Sequence, residues 1–117
     1  MQTVAWILIG LVAALHAYFL VLEMFLWQRP PGRSLHGFDA DTAQLTAPLA
    51  ANQGLYNGFL AAGLVWGLVT DSLATQVFFL VCVIVAGVFG AATAHRRILF
   101  VQALPGALAL GAALLAA

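Results

Sequence analysis

Residues 3–27 read TVAWILIGLVAALHAYFLVLEMFLW, and Gln28, Arg29, Pro30, Pro31, Gly32 and Arg33 follow. The first stretch carries a single formal charge, Glu23, close to its end. A helix rising 1.5 Å per residue needs about 20 mainly apolar residues to cross the hydrocarbon of a bilayer. The stretch meets that requirement, and Pro-Pro-Gly is a strong stop signal. It is therefore read as a membrane-crossing helix. A cleaved secretory leader would open on basic residues and hold a shorter apolar run of about 7–15 residues. Met1–Gln2 offers no basic residue, so the helix is expected to be retained.

Working outward, the remaining charges cut the chain into three more apolar windows, at about 47–70, 76–94 and 98–115. Between them lie a long loop over 28–46, a turn around Asp71 and a short basic turn of His95, Arg96 and Arg97. The windows are continuously apolar, whereas barrel strands would alternate with period two. The expected fold class is all-α: an integral membrane four-helix bundle forming a single transmembrane domain over residues 1–117. Composition points the same way. The chain is 64% hydrophobic and 7% charged, against roughly 25% charged in soluble domains, and a soluble domain this small could not hide that much apolar surface. Four basic and four acidic residues balance, which leaves no electrostatic footprint for nucleic acid. The single cysteine, Cys82, excludes an intrachain disulfide and a cysteine-rich metal cluster, and reads as a small buried hydrophobe.

All four cations are arginines: Arg29 and Arg33 after the first window, Arg96 and Arg97 after the third. In a four-span protein those loops share one side, and the positive-inside rule makes it the cytoplasm. Both termini then face outward with the Asp71 turn. Trp6 and Trp66 fall near the outer interface and Trp27 near the inner one, as aromatic belts do. In the long loop, Asp39 or Asp41 is placed to cap a short interfacial helix. Pro48 suits the first turn of the second span, and His36 reads as a solvated residue. Small residues recur at four-residue spacing: Gly54 with Gly58, Gly63 with Gly67, Gly87 with Ala91, and Ala103, Ala107 and Gly111. Such spacing lets helices approach closely, either within one bundle or between subunits.

Polar side chains in apolar windows are costly and mark candidate sites. His16 and Glu23 are seven residues apart, close to two turns, so they point the same way. Asn52, Gln53, Tyr56 and Asn57 cover an arc of about 140° on the second span. Gln102 lies on the fourth, just before Pro105. With the orientation above, all fall in the cytoplasmic half of the bilayer, and Arg96 and Arg97 stand at its mouth. Each has a plain alternative: Glu23 reaching the interface to pair with Arg29 or Arg97, His16 satisfied between helices, the amides as interhelical glue. Taken together they suggest a polar pocket. There Glu23 and His16 would be the acid/base pair, the amides and Tyr56 would fix a polar end, and the two arginines would hold an anionic group. His16, Glu23, His36 and His95 have no metal-ligand spacing, and the sequence names no cofactor.

The segments His16–Ala17–Tyr18–Phe19, Leu22–Glu23–Met24–Phe25–Leu26–Trp27, Asn52–Gln53–Gly54–Leu55–Tyr56–Asn57–Gly58 and Arg96–Arg97–Ile98–Leu99, with Val101, Gln102 and Pro105, together resemble the bacterial membrane family called domain of unknown function 1304. The resemblance covers nearly the whole chain. It implies a small four-helix protein of the bacterial inner membrane and no established activity. In topology the chain is also similar to the membrane-associated eicosanoid and glutathione enzymes, four-helix proteins with outward termini that are typically trimers. Their arginine-rich motif on the second helix has no counterpart here. Three functions are open: a binding protein or enzyme for a small amphiphilic or anionic ligand, a small proton-coupled exporter, or an assembly subunit. Small multidrug transporters share the length and a first-helix glutamate, but they have shorter loops and a glutamate nearer mid-membrane. A homo-oligomer in the lipid bilayer is expected.

Overall fold

The computed structural model describes residues 1–117. Short connections link α1 (Gln2–Met24), α2 (Gly32–His36), α3 (Ala40–Val69), α4 (Leu73–Thr93), a π-helical turn (Leu99–Ala103) and α5 (Leu104–Ala116). No strand is present. Three helical runs, Gln2–Met24, Leu73–Thr93 and Leu99–Ala116, are long and apolar enough to cross a membrane. The remaining expected window lies within α3, which carries Asn52, Gln53 and Asn57 and is less apolar than the other long helices.

Local chemistry sets the ends of these elements, and in places it differs from the sequence expectation. The first helix stops at Met24, short of Trp27. The N–H groups of Phe25 and Leu26 both reach the Val21 carbonyl, at 3.0 and 3.1 Å, so the ladder closes on itself before the prolines arrive. The chain then folds back so tightly that a Cβ on Gly32 would stand 2.1 Å from the Leu26 carbonyl oxygen. Only glycine fits there.

Pro48 lies in the interior of α3, not in a first turn. The helix begins earlier because Asp39 Oδ1 accepts the Thr42 N–H at 2.7 Å, an N-terminal cap. Asp39 thus caps α3 itself rather than a separate interfacial helix. The backbone and side-chain hydrogen bonds from Thr42 hold its carboxyl below the usual aspartate range. At the other end of α3, Asp71 takes a left-handed conformation with φ of 50°. Ser72 N–H reaches the Gly67 carbonyl at 3.0 Å and Asp71 N–H the Leu68 carbonyl at 3.2 Å. That pair of bonds is a Schellman closure, and Ser72 then caps α4 through Thr75 N–H.

The π turn follows from Pro105. Proline has no N–H to give to Val101, and the Leu104 N–H reaches back five residues to the Leu99 carbonyl. Gln102 on this turn donates its Nε2 to the Val83 carbonyl of α4 at 3.0 Å.

The chain divides into two compact units, Met1–Ala14 with Leu60–Ala117, and Leu15–Phe59. The core of the first unit is built from Ala5, Ile9, Val12, Ala13, Leu64, Leu80, Val83, Ala109, Ala112 and Ala113. Half of these are alanines. The large side chains Ile7, Leu11, Val65, Phe78, Val85, Phe89 and Leu108 are exposed. A water-soluble protein would reverse this arrangement; an apolar exterior of this extent fits a lipid solvent. Glycines make the close contacts. A Cβ on Gly87 would lie 2.8 Å from the Ala103 nitrogen, and one on Gly63 would lie 2.3 Å from the Phe79 ring. Gln76, buried in this unit, donates Nε2 to the Gly67 carbonyl at 2.9 Å.

The second unit holds the end of α1, α2 and the first part of α3. Trp27 Nε1 donates to Thr46 Oγ1 at 2.9 Å, and Thr46 in turn donates to the Thr42 carbonyl at 2.7 Å. The His36 and Phe38 rings pack on Trp27, with centroids 4.5 and 5.4 Å away. His36 Nδ1 also lies 2.8 Å from the Gly32 carbonyl oxygen. His36 is therefore part of an aromatic clasp, although its surface remains exposed.

Candidate functional site

Asn57 Nδ2 donates to Glu23 Oε1 at 2.5 Å, joining residues 34 positions apart. Glycine makes this contact possible. On α3, Gly54 lies one turn before Asn57 and Gly58 directly follows it. A Cβ on Gly54 would stand 2.6 Å from Met24 Cγ, 3.1 Å from Glu23 Cβ and 3.2 Å from the Leu20 carbonyl oxygen. One on Gly58 would meet Leu20 Cδ1 at 2.6 Å. The Gly54–Gly58 spacing is thus spent on contact with the last turns of α1 within the same chain. It brings α3 near enough for a short asparagine side chain to span the gap.

Asn57 is buried and Glu23 half-buried. Asn52, Gln53 and Tyr56, which share the polar arc with Asn57, are exposed; Tyr56 packs edge-on against Phe59 at 5.8 Å. The arc therefore splits, with Asn57 turned to α1 and the other three facing out from this unit. His16 is fully buried and meets Phe19 edge-on at 5.2 Å. About 10 Å of helix rise separates it from Glu23.

Gln102 belongs to the other unit, where it serves the Val83 carbonyl. Arg96 and Arg97 are exposed in that unit's basic turn. There the backbone N–H and the Nε of Arg97 both donate to His95 Nδ1, at 3.0 and 3.4 Å. Nδ1 is thus the acceptor nitrogen of the His95 ring. No group of three His, Cys, Asp or Glu side chains is arranged to hold a metal ion.

Chemically, the Glu23–Asn57 pair is a carboxyl group fixed by an amide. The bond uses one carboxyl oxygen and one amide hydrogen. What the pair can still offer is mostly acceptor capacity: the second carboxyl oxygen and the asparagine carbonyl. Sequence reasoning missed the Trp27–His36–Phe38 clasp. Its only trace there was Trp27 at the end of the first apolar window, with His36 and Phe38 in the loop that follows. The π turn also went unread, although Gln102 three residues before Pro105 was its signal.

A family model described as "Protein of unknown function (DUF1304)" matches residues 10–114. No curated protein and no solved structure matches the chain.

Proposed function

This chain belongs to the DUF1304 family, whose description assigns no activity, and on that premise we propose that it is a four-span membrane protein that binds the polar end of a small amphiphile at Glu23 and Asn57. The carrying observation is the Glu23–Asn57 hydrogen bond between half-buried and buried side chains on two long helices. A carboxyl group on an apolar helix is costly unless partnered, and such groups mark sites more often than packing. Its acceptor-rich character selects a ligand whose head carries N–H or O–H donors. Entry is from the side of the arginine turns, taken as cytoplasmic by the positive-inside rule. His16, two turns deeper along α1, would serve as a relay for protons and not as a direct partner of the carboxyl.

Native mass spectrometry of protein released from nanodiscs tests this, comparing wild type with Glu23→Gln. Gln keeps the shape and can still accept from Asn57, but it removes the ionisable group. A defined donor-bearing molecule on wild type that is absent from the variant supports the site. Equal amounts of bulk lipid on both, with unchanged melting temperature, would sink it. A lowered melting temperature with no difference in bound molecules would make the pair a helix clasp only.

A further inference from the structure

In the unit formed by Met1–Ala14 and Leu60–Ala117, a cavity of about 390 Å³ opens among Gln2, Trp6, Asp71, Leu73, Gln76, Ala113 and Ala117. Its size falls within the range of small-molecule sites, about 300–1,000 Å³. Its chemistry is one-sided. Asp71 is the one ionisable side chain among those residues, and none of the four arginines is near it in sequence. The Schellman closure fixes the backbone that carries its carboxylate, through Ser72 N–H to Gly67 and Asp71 N–H to Leu68. Gln76 has spent its Nε2 on the Gly67 carbonyl, so its amide has the acceptor Oε1 left to give. The start of α4 would favour an anion, but Ser72 Oγ already takes the Thr75 N–H at 3.2 Å. Trp6 supplies an exposed indole, the best aromatic surface for a cation. Leu73 and Ala113 add apolar wall.

We propose that this cavity binds an organic cation of the alkyl- or quaternary-ammonium class. The carboxylate of Asp71 supplies the counter-charge, the Trp6 ring takes the cation by its π face, and Leu73 and Ala113 contact its methyl groups. Such a ligand asks for a counter-charge, an aromatic face and apolar wall, which Asp71, Trp6, Leu73 and Ala113 supply. The proposal is independent of Glu23 and Asn57, which lie in the other unit.

The test is calorimetric titration of tetramethylammonium chloride into the full chain in a non-ionic detergent, with sodium chloride as the control. Wild type should bind saturably and the sodium control should give no isotherm. Asp71→Asn should weaken binding about tenfold, the order expected for removing one close counter-charge. Asparagine also tolerates the left-handed conformation, so an unchanged melting temperature will show that the turn is intact. Trp6→Leu should weaken binding about two- to fivefold, through loss of the cation–π contact. Repeating the titration in nanodiscs separates two sources of the same chemistry. Weaker binding in phosphatidylcholine than in phosphatidylglycerol discs identifies a lipid headgroup as the competitor, and equal binding identifies a free cation. No saturable binding to wild type, or equal binding by a folded Asp71→Asn variant, overturns the proposal.

Discussion

Gly54 controls how closely α3 approaches α1 around Glu23, so replacing it should act on the Glu23–Asn57 bond in a graded way. With alanine, the clash with Met24 Cγ at 2.6 Å can be relieved by turning a flexible side chain. The contacts with Glu23 Cβ at 3.1 Å and the Leu20 oxygen at 3.2 Å are tied to the backbone and need a few tenths of an ångström of helix separation. The hydrogen bond, at 2.5 Å, can absorb that and remain near the ordinary length of about 3 Å. Alanine's better helix propensity, up to about 1 kcal/mol, offsets much of the strain, so Gly54→Ala should stay close to wild type.

Leucine is different. It must part the helices by more than the bond can stretch. It should cost about 1–3 kcal/mol in overpacking and a further 0.5–1.5 kcal/mol or so for the lost hydrogen bond. The assay is reversible unfolding in mixed micelles, combined with Asn57→Ala in a double-mutant cycle. Asn57→Ala should be costly in the wild-type and Gly54→Ala backgrounds and nearly free in Gly54→Leu. Equal cost of Asn57→Ala in all three backgrounds would refute the reasoning, as would a Gly54→Leu protein as stable as Gly54→Ala.

Three further expectations follow from the same packing. Gly87→Ala should destabilise by about 1–3 kcal/mol, because its Cβ would meet the Ala103 nitrogen at 2.8 Å and its Cα at 3.0 Å. Gly111→Ala, which would meet nothing within 4 Å, should be neutral or slightly stabilising, and melting curves of the two variants make the comparison. Trp27→Phe should cost about 1 kcal/mol by removing the bond to Thr46, and adding Thr46→Val should cost little more, as read by chemical unfolding. Acidification should fray the start of α3. The folded carboxyl of Asp39 titrates below its ordinary value of 3.8, so its cap is in place above that pH and is lost as pH falls through the lower folded value. Amide exchange at Thr42 should therefore quicken in strong acid for wild type and hold steady for Asp39→Asn.

Much of the helical layout was legible because lipid-compatible helices announce themselves by continuous apolar runs. Gly54 and Gly58 carried the four-residue spacing that permits close approach, but so did Ala107 and Gly111, and a Cβ on Gly111 would meet nothing within 4 Å. That Asn57, and not Asn52 or Gln53, would reach Glu23 was not legible: all three share an arc, and the choice depends on how α3 is rotated against α1. Pro48 misled for a related reason. Proline is commonest at helix starts, yet the cap at Asp39 starts the helix earlier and carries it through the proline. The clasp of Trp27, His36 and Phe38 depends on a sharp reversal at Gly32, a three-dimensional event that local propensity does not encode.

The alanine-built core of the unit containing α4 and α5 carries a consequence for how this chain tolerates change. In a soluble protein, a saturation scan finds its intolerant positions at large apolar residues, and small residues are forgiving. Here the pattern should invert. Ala5, Ala109 and Ala112 are buried, and a Cβ on Gly87 would press on the Ala103 backbone, while Ile7, Leu11, Phe78 and Phe89 face outward and should exchange freely for other apolar residues. Sequence drift in such a protein would run through its outward-facing bulky positions and spare its buried small ones.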